Sequence, residues 1–143
     1  MLVDANILLF AVDSASPFHE TAAGWLTEQL NGPARVGLPW SSLGAFLRIS
    51  THPRAAEHPL QPTDALQHIE AWLATEPAWI PQPTERHAEI LAGLIRKHHP
   101  RGNLISDAQV VALAIEHGLT VCSADTDFAR FPEIRWQNPL AAR

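Results

Sequence analysis

"SDAQVVALAIEHGLTVCSADTDFARFP", residues 106–132, carries a helix, a strand and a pair of acids in one run. Ser106 and Gln109 form an S-x-x-Q capping box, which predicts a helix opening there with Asp107 in its first turn. Val110, Val111, Ala114 and Ile115 make the packed side of that helix, and Gln109, Ala112 and Glu116 the wetter one. Gly118 suits the residue that closes it. "LTVC", residues 119–122, then reads as a buried strand, and Asp125 and Asp127 follow it one residue apart. Like charges this close raise each other's pKa. The pair is either a turn whose side chains bond the local backbone or half of a metal site.

The same alternation runs through the rest of the chain. "MLV" is a short strand ending at Asp4, with a helical turn opening at Asn6 or just after. Ser16-Pro17 marks a helix start with Pro at the first helical position, and Gly32-Pro33 its stop. "ARVGLP", 34–39, is a second strand, and "WSSLGAFLRIST", 40–51, a helix with Leu43, Phe46 and Leu47 at helical spacing. "HPRAAEHPLQP", 52–62, is a proline-punctuated loop, too short for a domain linker. Thr63 and Thr84 are the expected caps of two further helices, and "PRGN", 100–103, a loop after the second of them. Between these helices "AWIPQP", 78–83, suits an edge strand, because proline cannot donate to a ladder. "IRW", 134–136, is a last strand. Strands alternating with helices predict an α/β fold of one domain over 1–143, with about five short, mostly parallel strands covered on both faces.

In such a sheet ligands bind outside the carboxyl ends of the strands. Asp4 ends the first strand, and Asp125 and Asp127 follow the "LTVC" strand. Asp107 opens a helix that runs back against the strands, so its start lies at the same edge. Four carboxylates from three segments therefore converge. Asp4, set between the apolar runs "MLV" and "ILLFAV", is costly unless paired or metal-bound. Carboxylates suit Mg²⁺ or Mn²⁺, and a cation between them removes their repulsion. Metal-assisted phosphodiester hydrolysis is the natural reaction class. The chain has no Walker loop, no G-x-G-x-x-G and no G-x-S-x-G, so nucleotide-cofactor and acyl-transfer chemistry lack support.

Composition narrows the setting. Of 143 residues 46% are hydrophobic and 17% charged, which predicts a globular chain rather than a disordered one. The single cysteine, Cys122, excludes an internal disulfide and a multi-cysteine zinc site, and its apolar neighbours predict a packed thiol. Asp4 interrupts the N-terminal apolar stretch with no basic segment before it, so a secretory signal is not expected. No apolar run approaches the ~20 residues of a membrane span. A cytoplasmic setting follows as the expectation. The net charge of −5 removes any overall basic field, so any nucleic-acid contact must use local patches. Arg48, His52 and Arg54, and Arg101 within "RKHHPRGN", 96–103, are the candidates. Trp25, Trp40, Trp72, Trp79 and Trp136 sit among apolar residues and are expected in core or dimer packing.

"LVDANILL", 2–9, the run 106–132 and the closing "IRWQNP", 134–139, together resemble the PIN-domain ribonucleases, specifically VapC-type toxins of bacterial toxin–antitoxin pairs. The resemblance spans essentially the whole chain. It implies a three-layer α/β/α sandwich and a Mg²⁺- or Mn²⁺-dependent endoribonuclease. By the match Asp4 and Asp107 look like the central metal ligands, Asp125 the third, and Asp127 a further carboxylate. Asn6, Ser106 and Ser123 look like groups that orient them. A homodimer and a small VapB-like antitoxin are the implied partners. One departure stands out: such toxins typically carry a Glu on the helix after the second strand, and here Phe46 holds that place. The implied alternative is an RNA- or antitoxin-binding module with weak or no catalysis.

Overall fold

Leu2 and Val3, the whole of the first strand, are both fully buried and face opposite sides of the sheet, as a period of two requires. Leu2 packs with Leu94, Val111, Val121 and Phe128. Val3 packs with Ile7, Trp25, Val36, Phe46 and Cys122. Two buried faces on so short a strand mean that helices must cover both.

A computed structural model describes residues 1–141. In chain order the elements are β1 (Leu2–Val3), α1 (Ala5–Val12), α2 (His19–Leu30), β2 (Val36–Gly37), α3 (Trp40–Ser50), α4 (Pro62–Leu73), β3 (Ala78–Trp79), α5 (His87–His98), α6 (Asn103–His117), β4 (Val121–Cys122), a 3-10 turn (Thr126–Arg130) and β5 (Trp136–Gln137). The sheet is parallel throughout, in the order β3-β2-β1-β4-β5. Helices α1–α4 supply the core on the Val3 side, and α5, α6 and the 3-10 turn the core on the Leu2 side. This is the expected α/β/α sandwich. The buried Cys122 thiol is packed on the α1–α4 side, and burial pushes its pKa up to about 11, which suits an inert side chain. Among the described residues no helix is long and apolar enough to cross a membrane.

The strand order places a topological switch between β1 and β4. The chain winds from β1 outward through β2 to β3, then returns to the other side of β1 for β4 and β5. The crevice outside the carboxyl ends at such a switch is where open α/β sheets bind ligands. Register pins it: the Leu2 amide donates to Thr120 O at 2.8 Å, and the Asp4 amide to Cys122 O at 3.0 Å.

Local starts differ from expectation in several places. Helix α6 begins at Asn103 after Gly102, not at Ser106, so there is no Ser106–Gln109 capping box and Asp107 lies in the second turn. Gly102 has φ +57, a conformation glycine adopts without the Cβ penalty, and it lets the chain turn into the helix three residues early. Gln61 and Pro62 open α4 in place of Thr63, with Pro at the first helical position. Phe18 precedes α2, leaving Ser16-Pro17 in the turn before it. Arg86 precedes α5, and the Thr84 hydroxyl instead donates to Glu116 at 2.6 Å. Ala112 and the Glu116 side chain are closed off from solvent, contrary to the wet side assigned to them. Ala112 is small enough to fit under the α5 packing, and Glu116 has three hydrogen-bond donors around it. Trp25 and Trp72 are core residues, whereas Trp40 is 51% exposed. Gly118, at φ +65, closes α6 as expected.

Candidate metal centre

Asp4 has a double position. Its amide completes the β1–β4 ladder, and its side chain caps α1, with Oδ1 accepting from the Ala5 amide at 2.9 Å. Oδ2 accepts from the Ser123 hydroxyl at 2.7 Å and from Asn6 Nδ2 at 3.3 Å. Ser123, fully buried, also accepts from Asn6 Nδ2 at 3.0 Å and from the Asp125 amide at 3.0 Å. One donor and two acceptors exhaust a hydroxyl's capacity, so its proton has one place to point. Asn6 Oδ1 accepts from the Ala124 amide at 3.1 Å. Asn6 and Ser123 thus tie the start of α1 to the loop after β4. Ser106 is exposed, in the fourth position of α6, and takes no part in this network.

Asp107, Asp125 and Asp127 each offer a carboxylate oxygen within 4.8 Å of the others. Asp125 Oδ1 accepts from the Asp127 amide at 2.9 Å and so caps the 3-10 turn that brings Asp127 round. The turn and the acidic cluster are therefore the same structure, and the two sequence readings of this pair do not exclude each other. Burial first, then the charges of Asp125, Asp4 and Asp127, push the Asp107 pKa up to about 6. Burial likewise raises Asp4, against the lowering effect of the Ser123 and Ala5 hydrogen bonds, and the Asp125 charge adds to the rise. Arg130 Nε approaches Asp127 at 3.4 Å, but both side chains are well exposed and such a pair contributes little. Among the described residues no other lysine or arginine is ion-paired with the four acids.

This donor set fits a hard divalent cation. It is all carboxylate oxygen, with no histidine or cysteine in the group. The repulsion that lifts Asp107 is what a cation would relieve. Asp4 stands next to the group, with both oxygens already accepting hydrogen bonds.

Phe46 is fully buried, with its ring 5.0 Å from Trp72 and 6.4 Å from His68. Arg48 is in the last turn of α3, and Arg54 lies in the loop beyond it. Helix α3 opens at the carboxyl edge, so both arginines lie more than a helical turn away from it. Arg101 is exposed just before Gly102, at the end of α6 that carries Asp107. Two supports escaped the sequence reading. The buried Ser42 hydroxyl donates to Val3 O at 2.7 Å, and Trp136 Nε1 donates to Ser123 O at 3.0 Å. They fix the carbonyls of β1 and the β4 loop from either side. A polar residue on the packed face of α3 was the available signal for Ser42. None existed for Trp136.

The PIN domain model matches residues 1–134. The chain is similar to ribonuclease VapC37 of Mycobacterium tuberculosis, at 41% identity over 140 residues, covering 98% of this chain and 97% of that one. Several solved structures share the fold. The crystal structure of Mycobacterium tuberculosis VapC20, a Sarcin-Ricin loop cleaving toxin, superposes with TM-score 0.67 at 18% identity, covering 94% of this chain and 98% of that one. A toxin–antitoxin complex from Klebsiella pneumoniae gives TM-score 0.62 at 19% identity, covering 96% of both chains.

Proposed function

This chain belongs to the PIN-domain family, and we propose that it is a VapC-type endoribonuclease, the toxin of a toxin–antitoxin pair working in the cytoplasm. The observation that carries the reading is the grouping of Asp107, Asp125 and Asp127 within 4.8 Å, beside Asp4, at the switch of the sheet. Asp107, Asp125 and Asp127 would hold Mg²⁺ or Mn²⁺, with Asp4 completing the set. When bound, the cation supplies the positive charge these acids lack and Lewis acidity toward a phosphodiester. Ser123 and Asn6 hold the Asp4 carboxylate in one orientation, and the 3-10 turn holds Asp125 against Asp127. Asp107, its pKa lifted to about 6, would be held in its ionised form by the positive charge of a bound cation. With Phe46 buried where a Glu is typical, four carboxylates serve the centre, which favours one cation over two.

A small antitoxin is the proposed protein partner. A basic segment suits a chain of net charge −5 with an acidic rim. A homodimer is the proposed assembly.

The test is cleavage of RNA by the purified protein with and without EDTA, beside Asp4→Asn and Asp107→Asn. Loss of cleavage in all three is expected. RNA bound but left uncut by the native protein in Mg²⁺ and Mn²⁺ would instead favour the binding module that the buried Phe46 motivates.

A further inference from the structure

We propose that the cleft beside Trp40 is a nucleobase subsite, in which an unpaired base of the RNA next to the cleaved phosphate stacks on the indole. The inference rests on the ribonuclease reading above and names how that substrate is gripped.

Trp40 is the first residue of α3 and is 51% exposed, although it follows the buried Pro39. A large aromatic ring left in water at the start of a helix is not needed for the fold. It forms one wall of a cleft of about 250 Å³ with Pro81, Gln82, Pro83, His87 and Gln109. Pockets that enclose whole small molecules run to roughly 300–1,000 Å³, so this one suits a planar fragment. The indole and the exposed Pro83 ring offer apolar faces over a floor that includes the buried Pro81. The amides of Gln82 and Gln109 offer hydrogen-bond donors and acceptors for a base edge. The walls are also fixed: Glu116 holds His87 Nδ1 at 2.7 Å and the Thr84 amide at 2.7 Å, and His117 Nε2 meets Gln82 O at 2.7 Å.

Position ties the cleft to the acids. Trp40 follows the carboxyl end of β2, and Pro81 that of β3. Asp4 ends β1, which neighbours β2 in the sheet. The cleft and the acidic cluster therefore share one edge, two strand spacings or roughly 10 Å apart, a reach suited to a neighbouring nucleotide.

Charge supplies the reason. Four carboxylates at the rim and a net charge of −5 repel an RNA backbone, so phosphate neutralisation cannot supply most of the grip. Stacking on an aromatic face needs no positive charge and accepts any base.

The test is the affinity of the native protein, Trp40→Ala and Trp40→Phe for a short mixed-sequence single-stranded RNA with hydrolysis-resistant phosphorothioate linkages, by fluorescence anisotropy. Mn²⁺ affinity by calorimetry and oligomeric state by light scattering are measured on the same samples. Trp40→Ala is expected to weaken RNA binding about tenfold or more, with Trp40→Phe near the native value and Mn²⁺ affinity and assembly unchanged. Unchanged RNA affinity in Trp40→Ala would overturn the subsite. So would a change of oligomeric state in that variant, which would make Trp40 a contact between copies of the chain. Trp40-dependent binding in a native protein that cuts no unmodified RNA would uphold the subsite and remove the nuclease reading alone.

Discussion

Ser123 donates a 2.7 Å hydrogen bond to Asp4, 119 residues away in sequence, and the same hydroxyl accepts the amide of Asp125. A single buried oxygen thereby couples acids from two strands. Removing it by Ser123→Ala leaves Asp4 Oδ2 with only the 3.3 Å bond from Asn6 and the Asp125 amide with no acceptor. The expected cost is about 1–3 kcal/mol of stability, read from urea unfolding. The Asp4 pKa rises further, because this bond is the larger of the two that lower it, the other being from the Ala5 amide. Divalent-cation affinity is expected to fall roughly 10–100-fold, measured by calorimetry. Native affinity in a folded Ser123→Ala protein would show that the bond does not orient the centre.

Asp107 sets a pH dependence of definite sign. Its pKa is about 6 in the folded protein and 3.8 as the ordinary value. Between those values the folded chain binds more protons than the unfolded one. The metal-free protein should therefore lose stability as pH rises from about 4 to about 6, and change little above. Cation binding runs the other way: below about pH 6 the cation must displace a proton, so affinity climbs toward tenfold per pH unit and levels off above. Asp107→Asn removes the charge, so it should raise the metal-free melting temperature and abolish the further rise given by Mn²⁺. Thermal melts across pH 4–8, with and without Mn²⁺, test both.

Glu116 is an acid of the opposite kind. Burial pushes its pKa up, but hydrogen bonds from the Thr84 hydroxyl, His87 and the Thr84 amide outweigh it and hold the carboxyl below its usual 4.5. Its contribution is present above pH 4.5 and is lost as pH falls through the lower folded value. Glu116→Ala is expected to cost about 1–3 kcal/mol and to loosen residues 81–86, seen as faster amide exchange there with the acidic cluster unaffected.

Phe46→Glu tests whether the missing acid can simply be restored. The ring is fully buried against Trp72, so the change removes aromatic packing worth about 3–5 kcal/mol and places a carboxyl in an apolar site. The protein is expected to unfold or to gain no cation affinity. A stable variant with a second bound Mn²⁺ would show that the backbone still presents this position to the rim.

Much of the fold was legible because strand and helix periods are local properties. The runs "MLV", "ARVGLP" and "LTVC" between helical segments pointed to the parallel sheet, and Gly118 to the end of α6. Helix starts were less legible. Ser106, Thr63 and Thr84 all have the chemistry of a cap, yet Gly102, Pro62 and Arg86 mark the openings more closely, because backbone geometry in the preceding loop decided them. Within the site, Asp4, Asp107, Asp125 and Asp127 were found by one rule about strand ends, and Asn6 and Ser123 by resemblance. Ser42 and Trp136 were not, since their hydrogen bonds join elements 39 and 13 residues apart.

The sequence by itself determined which acids meet and at which edge, because a parallel sheet with backward-running helices leaves only one place for them. Tertiary structure decided the rest: that Asp127 joins Asp107 and Asp125 in the tightest group while Asp4 is held by Ser123, that Phe46 is core, and that Trp40 stands in water. These are distances and exposures set by packing across the sheet. Sequence spacing carries no information about them beyond a few residues.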